Sequence, residues 1–489
     1  MEEKTDSVGD VLADRRVTIA PMIRRVVSVL ALLCALASSL LPLRAAASAR
    51  FDPSAPAQVL VVGGTPAGIA AAISAARRGL RVELVCERPY LGGILTGGMM
   101  NQWDLNKTDD RTDIEAGIFR EMYDRLGESF DPEQAKTVLL RMVQQEPGIT
   151  LRLSTELLSA DVTGSVPDRR ISGVTFVDRR SGAHFTLYAP LVIDATDTGE
   201  LAARAGARYD VGRQDTGLDT KMQAATLMFA VDGVNWSETA NSYDEGKYGV
   251  GGTTDRKVWG FAKVLRGYRP LSLRSVVRDL NLGREPNGTV TVNAVDIVGV
   301  DGRNPWSVAE GMQIGRAEIV HLMGFLRDHI PGFAHARLAA FADELYVRET
   351  RHIRGLTTLT ADDVWHGRIP YDTIGLSSYP LDLHPCYVGE EPAFAPIRHV
   401  YGVPFRAMVP FGFDNLLVAG PAISATHVAA GSARIVPTTV EEGEAAGTAA
   451  AFALRHGDDF PKIALNPKIM QRLRAALARA GAIVDVAGR

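Results

Sequence analysis

Short β-branched apolar runs, from Gln58 to Val62 and from Arg81 to Val85, enclose a run of small residues from Ile69 to Arg78. Strand, glycine-rich turn, helix and second strand in that order predict a parallel βαβ unit. Two amphipathic stretches follow, Ile114 to Leu126 and the run after Asp131. There Asp131, Pro132 and Gln134 offer an N-cap, a first-turn proline and an N3 amide. Strand patterns recur at Ile149 to Leu153, Ile171 to Asp178, His184 to Ala189 and Leu191 to Asp194, with Arg179 to Gly182 as a hairpin turn between the middle two.

Tyr209 to about Val400 mixes the strand-like run Met222 to Val234 with polar loops and a long helical stretch, Val308 to His329. A strand, Asn415 to Ala419, and a small-residue helix, Thr439 to Leu454, then restore the character of the first unit. The tail predicts an accessory helix, Gln471 to Ala480, and a final strand. The expected fold is α/β: a Rossmann-like βαβ domain interleaved with a mixed α+β substrate or cap domain. The expected boundaries are 1–50 for a signal segment, 51–208 for the first part of the dinucleotide domain, 209–400 for the cap, 401–457 for the return and 458–489 for the accessory tail.

The first 50 residues are of another kind. Arg24 and Arg25 precede an apolar run of 16 residues, Val26 to Leu41, and Ala47-Ser48-Ala49 offers a small-x-small cleavage site. This reads as a bacterial secretory signal with Met22 as a candidate start, and predicts a periplasmic or extracellular protein with no stable membrane span after cleavage. The competing reading is a retained N-terminal membrane anchor. With 57 acids against 53 lysines and arginines, the net charge of −4 gives no reason to expect nucleic acid. Cys34, Cys86 and Cys386 lack metal spacing, and ten histidines occur without H-E-x-x-H, so no metal site is expected. If Cys34 is removed, at most one disulfide remains.

The turn of the βαβ unit carries the chemistry. Gly63, Gly64, Thr65, Pro66, Ala67 and Gly68 lead into a helix whose first N–H groups lack intrahelical partners and can hold a diphosphate. Gly63 suits the tight turn and Gly68 the close approach of helix to sheet, whereas Thr65 stands where G-x-G-x-x-G has its middle glycine. Glu87 lies 24 residues beyond Gly63, where an acid can accept from an adenosine ribose. Arg88, Gly92, Gly93 and Gly97 belong to a loop expected to pass under the cofactor, bringing Asn101, Gln102 and Trp103 towards it. Asp194, Ala195, Thr196 and Gly199 close a second turn, with Asp197 and Glu200 as caps of the next helix. Gly420 and Gly431 frame a third.

These landmarks resemble the FAD-dependent oxidoreductases, within the glutathione-reductase-like group of flavoproteins. The resemblance rests on VVGGTPAGIAAAISAARRG with Glu87, LGGILTGGM, VIDATDTGELAARAG, RETRHIRG and NLLVAGPAISATHVAAGSARIVPTTVEEGEAAGTAAA, spanning residues 57 to 455. It implies non-covalent FAD and redox chemistry; the expected reaction is hydride transfer with a small organic substrate, with a sugar or other hydroxylated compound as the expected class in an exported carbohydrate setting. No second fingerprint with its own acid follows, so the electron acceptor is expected to be oxygen, a quinone or another carrier rather than a pyridine nucleotide on a dedicated domain. Alternatives are a flavin-dependent isomerase or hydratase with no net redox, and a catalytically idle flavin-binding protein. His427 is the candidate for proton transfer, because an imidazole exchanges protons near neutrality. Arg434 is expected to bind or polarise substrate or cofactor, and His352 or Arg351 to approach from the cap. The bland alternative for His427 is a bond to backbone in the Gly420 to Gly431 loop.

Overall fold

β1 (Val59–Val62) is buried at every position, which is why its sequence shows no polar alternation. The chain turns into α1 (Pro66–Arg77) and returns as β2 (Val82–Val85). The computed structural model describes residues 56–108 and 112–486. The expected signal segment, with Met22 and Cys34, lies outside the described residues. In chain order the other elements named below are β3 (Ile149–Arg152), β4 (Leu191–Asp194), β5 (Ala225–Asp232), β6 (Val290–Ile297), α2 (Pro305–His329), β7 (Arg337–Phe341), β8 (Arg351–Ile353), β9 (Leu416–Val418), α3 (His427–Ala433) and α4 (Val436–His456).

The first sheet runs β9-β4-β1-β2-β3, and each pairing is parallel. β9 comes from far along the chain, so the return segment completes the sheet begun at Val59. α4 covers α1 at very close range because glycine faces it: a Cβ on Gly443 would lie 2.1 Å from the Ala67 carbonyl oxygen, and one on Gly447 2.3 Å from that of Ala71. Ser74 Oγ donates to the Glu444 carbonyl at 2.7 Å across the same contact.

A second sheet of seven strands is antiparallel, with β6-β5-β7 at one end and Gly252–Thr253, Lys257–Gly260 and Leu280–Arg284 at the other. Its core, including Leu227, Phe229, Val292 and Val295, packs against Ile319, Leu322 and Leu326 of α2. The architecture is a Rossmann-like α/β region interleaved with additional α+β structure.

RETRHIRG contributes a strand, since β8 pairs antiparallel with Tyr209–Val211. Two local expectations change. The Gly420 to Gly431 stretch is not all loop, because Thr426 caps α3 through the Ala429 N–H. The tail forms two helices, Phe460–Leu465 and Pro467–Arg479, and the residues after Gly481 form no strand among those described; Ile483 instead packs against a small apolar cluster.

Candidate cofactor and substrate site

The Gly63 turn is built by close backbone approach. Gly63 has φ +120°, and a Cβ there would lie 2.0 Å from the Ala195 carbonyl oxygen; a Cβ on Gly68 would lie 1.9 Å from that of Gly63. Thr65 Oγ1 donates to the Ala195 carbonyl at 2.9 Å and accepts from the Gly68 N–H at 3.1 Å, so the residue in the middle glycine's place ties the first turn to the second. With Gly68 capped and Pro66 lacking a proton, Thr65 and Ala67 keep the N–H groups available at the α1 N-terminus.

Other predicted cofactor residues converge here. The Cβ position of Gly93 lies 3.6 Å from Thr65 Cα and 3.8 Å from Asp197 Oδ2, and that of Gly420 lies 3.1 Å from Asp197 Oδ1. Asp197 is held at φ +60°, a left-handed conformation tolerated by aspartate, which keeps its carboxyl between the two glycines. Burial, then the charges of Glu344 and Asp194, push that carboxyl up to about 7. Glu87 follows β2 in an exposed position and pairs with Arg179 at 2.7 Å. Arg88 pairs with Glu344 at 3.1 Å, and Gly97 leaves room for Glu344 and Tyr90.

Not every residue of that set belongs to the convergence. Gly92 packs towards Leu139 and Thr96, and Gly431 lies on α3 against Leu383 and Asp382. Trp103 is core: it sits edge-on to Phe119 at 5.3 Å and donates to the Gly127 carbonyl at 2.7 Å. The capping expected of Asp197 and Glu200 is done by Asp194 and Thr196, which accept from the N–H groups of Ala202 and Glu200 at 2.8 and 2.9 Å. The glycine turn, its free N–H groups, the exposed acid after β2 and the approach of Gly93 and Gly420 to Asp197 fit the phosphates and ribose of an FAD.

His352 and His427 meet at one atom, Glu349 Oε1, which lies 2.8 Å from His352 Nε2 and 2.8 Å from His427 Nδ1. Glu349 Oε2 accepts from the Gln223 N–H at 3.0 Å. Burial alone would raise this carboxyl, but the bonds and charges of the two histidines hold it down at about 2. For His427 burial acts downwards, yet the bond and charge of Glu349 leave it raised. Its Nε2 faces Cys386 Sγ at 4.0 Å. Arg351 points elsewhere, to Glu200 at 2.9 Å and the Thr198 carbonyl at 3.1 Å, bracing the second turn.

Arg434 belongs to an adjoining network. It pairs with Asp382 at 2.9 Å and donates to the Tyr346 hydroxyl, while the Arg348 guanidinium stacks 4.6 Å from the Tyr346 ring. His384 bridges Asp296 at 2.6 Å and Asp382 at 3.3 Å, and Arg348 reaches Asp296 at 3.3 Å. Burial would raise Asp382 and Asp296, but His384 and the arginines hold both well below the carboxylate range. Gln223 links the networks, since its side-chain Oε1 accepts from the His384 N–H at 3.1 Å.

Sequence reasoning assigned no role at the site to Asp296, Tyr346, Glu349, Asp382, His384 or Cys386. The alternation Asp382-Leu-His384-Pro-Cys386 was the available signal, since in extended chain alternate polar residues share a side. A hollow of about 360 Å³ lined by Thr358, Asp363, Arg368 and Arg406 contains none of these residues. Among the described residues no helix is long and apolar enough to cross a membrane, and no group of three or more His, Cys, Asp or Glu side chains is arranged to hold a metal ion.

The parallel sheet, its glycine turn and its late return strand define an FAD-binding type of dinucleotide fold. The family model described as FAD dependent oxidoreductase matches residues 58–477, so the chain belongs to that family. Over 112 residues, 22% of this chain and 18% of the relative, it is 40% identical to the carotenoid phi-ring synthase of Streptomyces griseus, and thus spans less than a fifth of that protein. Among solved structures it is similar to a geranylgeranyl bacteriochlorophyll reductase-like protein from Thermoplasma acidophilum, at 13% identity and TM-score 0.43 over 87% of this chain and 84% of that one. It is also similar to the flavin-dependent brominase Bmp2, at 11% identity and TM-score 0.44 over 87% and 84%. The family match reaches the FAD-dependent oxidoreductases as a whole and no particular subgroup.

Proposed function

We propose that the protein binds one non-covalent FAD and transfers a hydride between it and a small organic substrate. The observation that carries this is the convergence of four separated segments: the Cβ position of Gly93 lies 3.6 Å from Thr65 and 3.8 Å from Asp197, that of Gly420 lies 3.1 Å from Asp197, and that of Gly63 abuts Ala195 on the same turn as Asp197. An extended dinucleotide explains why one site needs all of them. When bound, FAD supplies a two-electron acceptor that can take a hydride.

The chain's own residues have separable roles in this reading. Thr65 and Ala67 N–H groups bind diphosphate, and Glu87 accepts from a ribose hydroxyl. Glu349 fixes His427 through Nδ1, leaving Nε2 to hold a proton during turnover, with His352 as the second partner of the same carboxylate. Arg434 places positive charge where negative charge develops, and Arg351 fixes the Asp194 to Gly199 turn. The resemblance in sequence supports a glutathione-reductase-like arrangement; the substrate is read as a hydroxylated, sugar-like compound, and the lack of a second dinucleotide fingerprint in the sequence supports oxygen, a quinone or another carrier as acceptor. The N-terminal signal pattern supports action outside the cytoplasm, as a processed or N-terminally anchored protein.

Denaturing release from the purified protein should give a yellow supernatant whose mass is that of FAD. Anaerobic bleaching of the flavin across a panel of alcohols, sugars and acids then finds the donor. Colourless protein that takes up no FAD, or flavin still attached after denaturation, defeats the reading. A substrate converted without change of oxidation state favours an isomerase or hydratase.

A further inference from the structure

Leu271 and Leu273 are 62% and 86% exposed, two apolar side chains turned to water within three residues. They lie on the loop that joins the short helix Ala262–Leu265 to the strand Ser275–Val276. Leu265 and Tyr268, at the start of that loop, are buried in the core that packs on α2, so its inward positions are already filled. The loop is also held in this attitude. Glu318, fully buried on α2, accepts from the Leu271 N–H at 3.1 Å, from the Ser272 N–H at 3.2 Å and from the Tyr268 hydroxyl. The Arg269 carbonyl meets His321 Nε2 at 3.2 Å, and Ser275–Val276 pairs with β6. One buried carboxylate satisfied by three donors of the same loop fixes it against the helix, with both leucines outside.

The cations beside the leucines have no acidic partner. Arg266 makes no side-chain hydrogen bond or ion pair among the described residues. Arg269 donates only to the Arg266 and Tyr268 carbonyls, both at 3.1 Å, and Lys263 only to the Glu245 and Gly246 carbonyls at 3.4 and 2.8 Å. All three are exposed, as is Pro270. Arg274, which ends the loop, pairs with Glu310 at 2.9 Å. Magnitude separates the occupants such a loop could take. A stable protein interface needs about 800 Å² from each partner, more than two leucines and a proline present. A lipid surface needs less, because each leucine gains by entering the acyl boundary and each cation by approaching anionic headgroups.

We propose that this loop docks the protein reversibly on an anionic lipid surface, with Leu271 and Leu273 inserted and Lys263, Arg266 and Arg269 at the headgroups. The binding is peripheral: two leucines enter the boundary and no segment crosses it. The charge complementarity decides the lipid, since a neutral headgroup offers the three cations nothing. The inference stands apart from the flavin reading and survives or fails without it.

The test uses the whole purified protein carrying Leu273→Cys, labelled with the environment-sensitive fluorophore NBD. Cys86 and Cys386 are buried, and wild type treated in the same way is the blank. Phosphatidylglycerol vesicles should shift the emission to shorter wavelength, spin-labelled lipid should quench it, and high salt should reverse the shift. Phosphatidylcholine vesicles should leave it unchanged. Unlabelled double variants, Leu271→Ser with Leu273→Ser and Arg266→Ala with Arg269→Ala, should each lose about 10-fold or more of the partitioning onto phosphatidylglycerol that high salt removes from wild type, with an unchanged urea midpoint. A label that stays in water on phosphatidylglycerol overturns the proposal, even where the protein is attached through another segment, and leaves a protein partner as the reading of the loop. An equal shift on both lipids overturns it as well, because the cations would then have no part in the docking.

Discussion

Replacing Glu349 by glutamine tests the histidine pair through stability as well as chemistry. The carboxylate accepts from both imidazoles at one oxygen and from the Gln223 N–H at the other, with its side chain fully buried. An amide has one acceptor end. Turned either way, it leaves a buried donor facing a donor, which costs about 1–3 kcal/mol, and it weakens charge-assisted bonds worth about 1.5–3 kcal/mol each to neutral ones. The expected loss for Glu349→Gln is about 2–4 kcal/mol at the pH where the pair is strongest.

That pH follows from the signs. Glu349, held at about 2 against an ordinary 4.5, contributes stability present above pH 4.5 and lost as pH falls towards 2. His427, raised above 6.5, contributes stability fully present below 6.5 and lost as pH rises through its folded value. The deficit of the variant should therefore be largest between about pH 4.5 and 6.5 and smaller at pH 8.5. Without Glu349 the downward effect of burial dominates, so His427 should titrate below 6.5. Urea unfolding of the holoprotein at both pH values, with NMR of selectively labelled histidine, measures both effects. An equal deficit at the two pH values, or a His427 midpoint still above 6.5, would refute the reasoning.

Gly68→Ala places a Cβ 1.9 Å from the Gly63 carbonyl, forcing the phosphate turn open at about 1–3 kcal/mol and weakening FAD affinity roughly 5- to 150-fold in a fluorescence titration; unchanged affinity would mean that the turn does not hold the cofactor. Cys86 and Cys386 are buried thiols that burial pushes up to about 11 and about 12, so neither should be labelled by a thiol reagent at pH 8 until urea is added. Rapid native labelling of either, located by peptide mass, would contradict the packing. Exported protein should begin near Ala49, and N-terminal sequencing that instead finds Met1 on a soluble cytoplasmic product rejects the signal reading.

The dinucleotide unit was legible because its signals are local. β1, α1 and β2 lie within one stretch whose strand, glycine turn and small-residue helix are each written in adjacent residues, and Gly443 and Gly447 announce a close helix contact by composition alone. The histidine site was legible only in part. His352 and His427 could be chosen for their chemistry, but the carboxylate joining them is 78 residues from one and three from the other. No periodicity reports such a meeting. The backbone of RETRHIRG was not legible, because its strand is set by pairing with the distant Tyr209–Val211. Gly431 misled in the opposite way: a glycine beside functional residues looked like cofactor space and serves packing against Asp382.

The cost of these buried charges is itself an argument for a site. Removing an ion from water costs several kcal/mol even after relaxation, and apolar residues of similar volume commonly stabilise a core as well or better. Asp296, Asp382, Arg348 and Arg434 nevertheless stand together, all less than a tenth exposed, on the second sheet, the strand Leu381–Leu383, the segment just before β8 and the C-cap of α3. Their mutual bonds explain how the charges are tolerated, but not why they are present. A reacting centre supplies the reason, because fixed charges in an enclosed space act on a developing charge without having to reorganise.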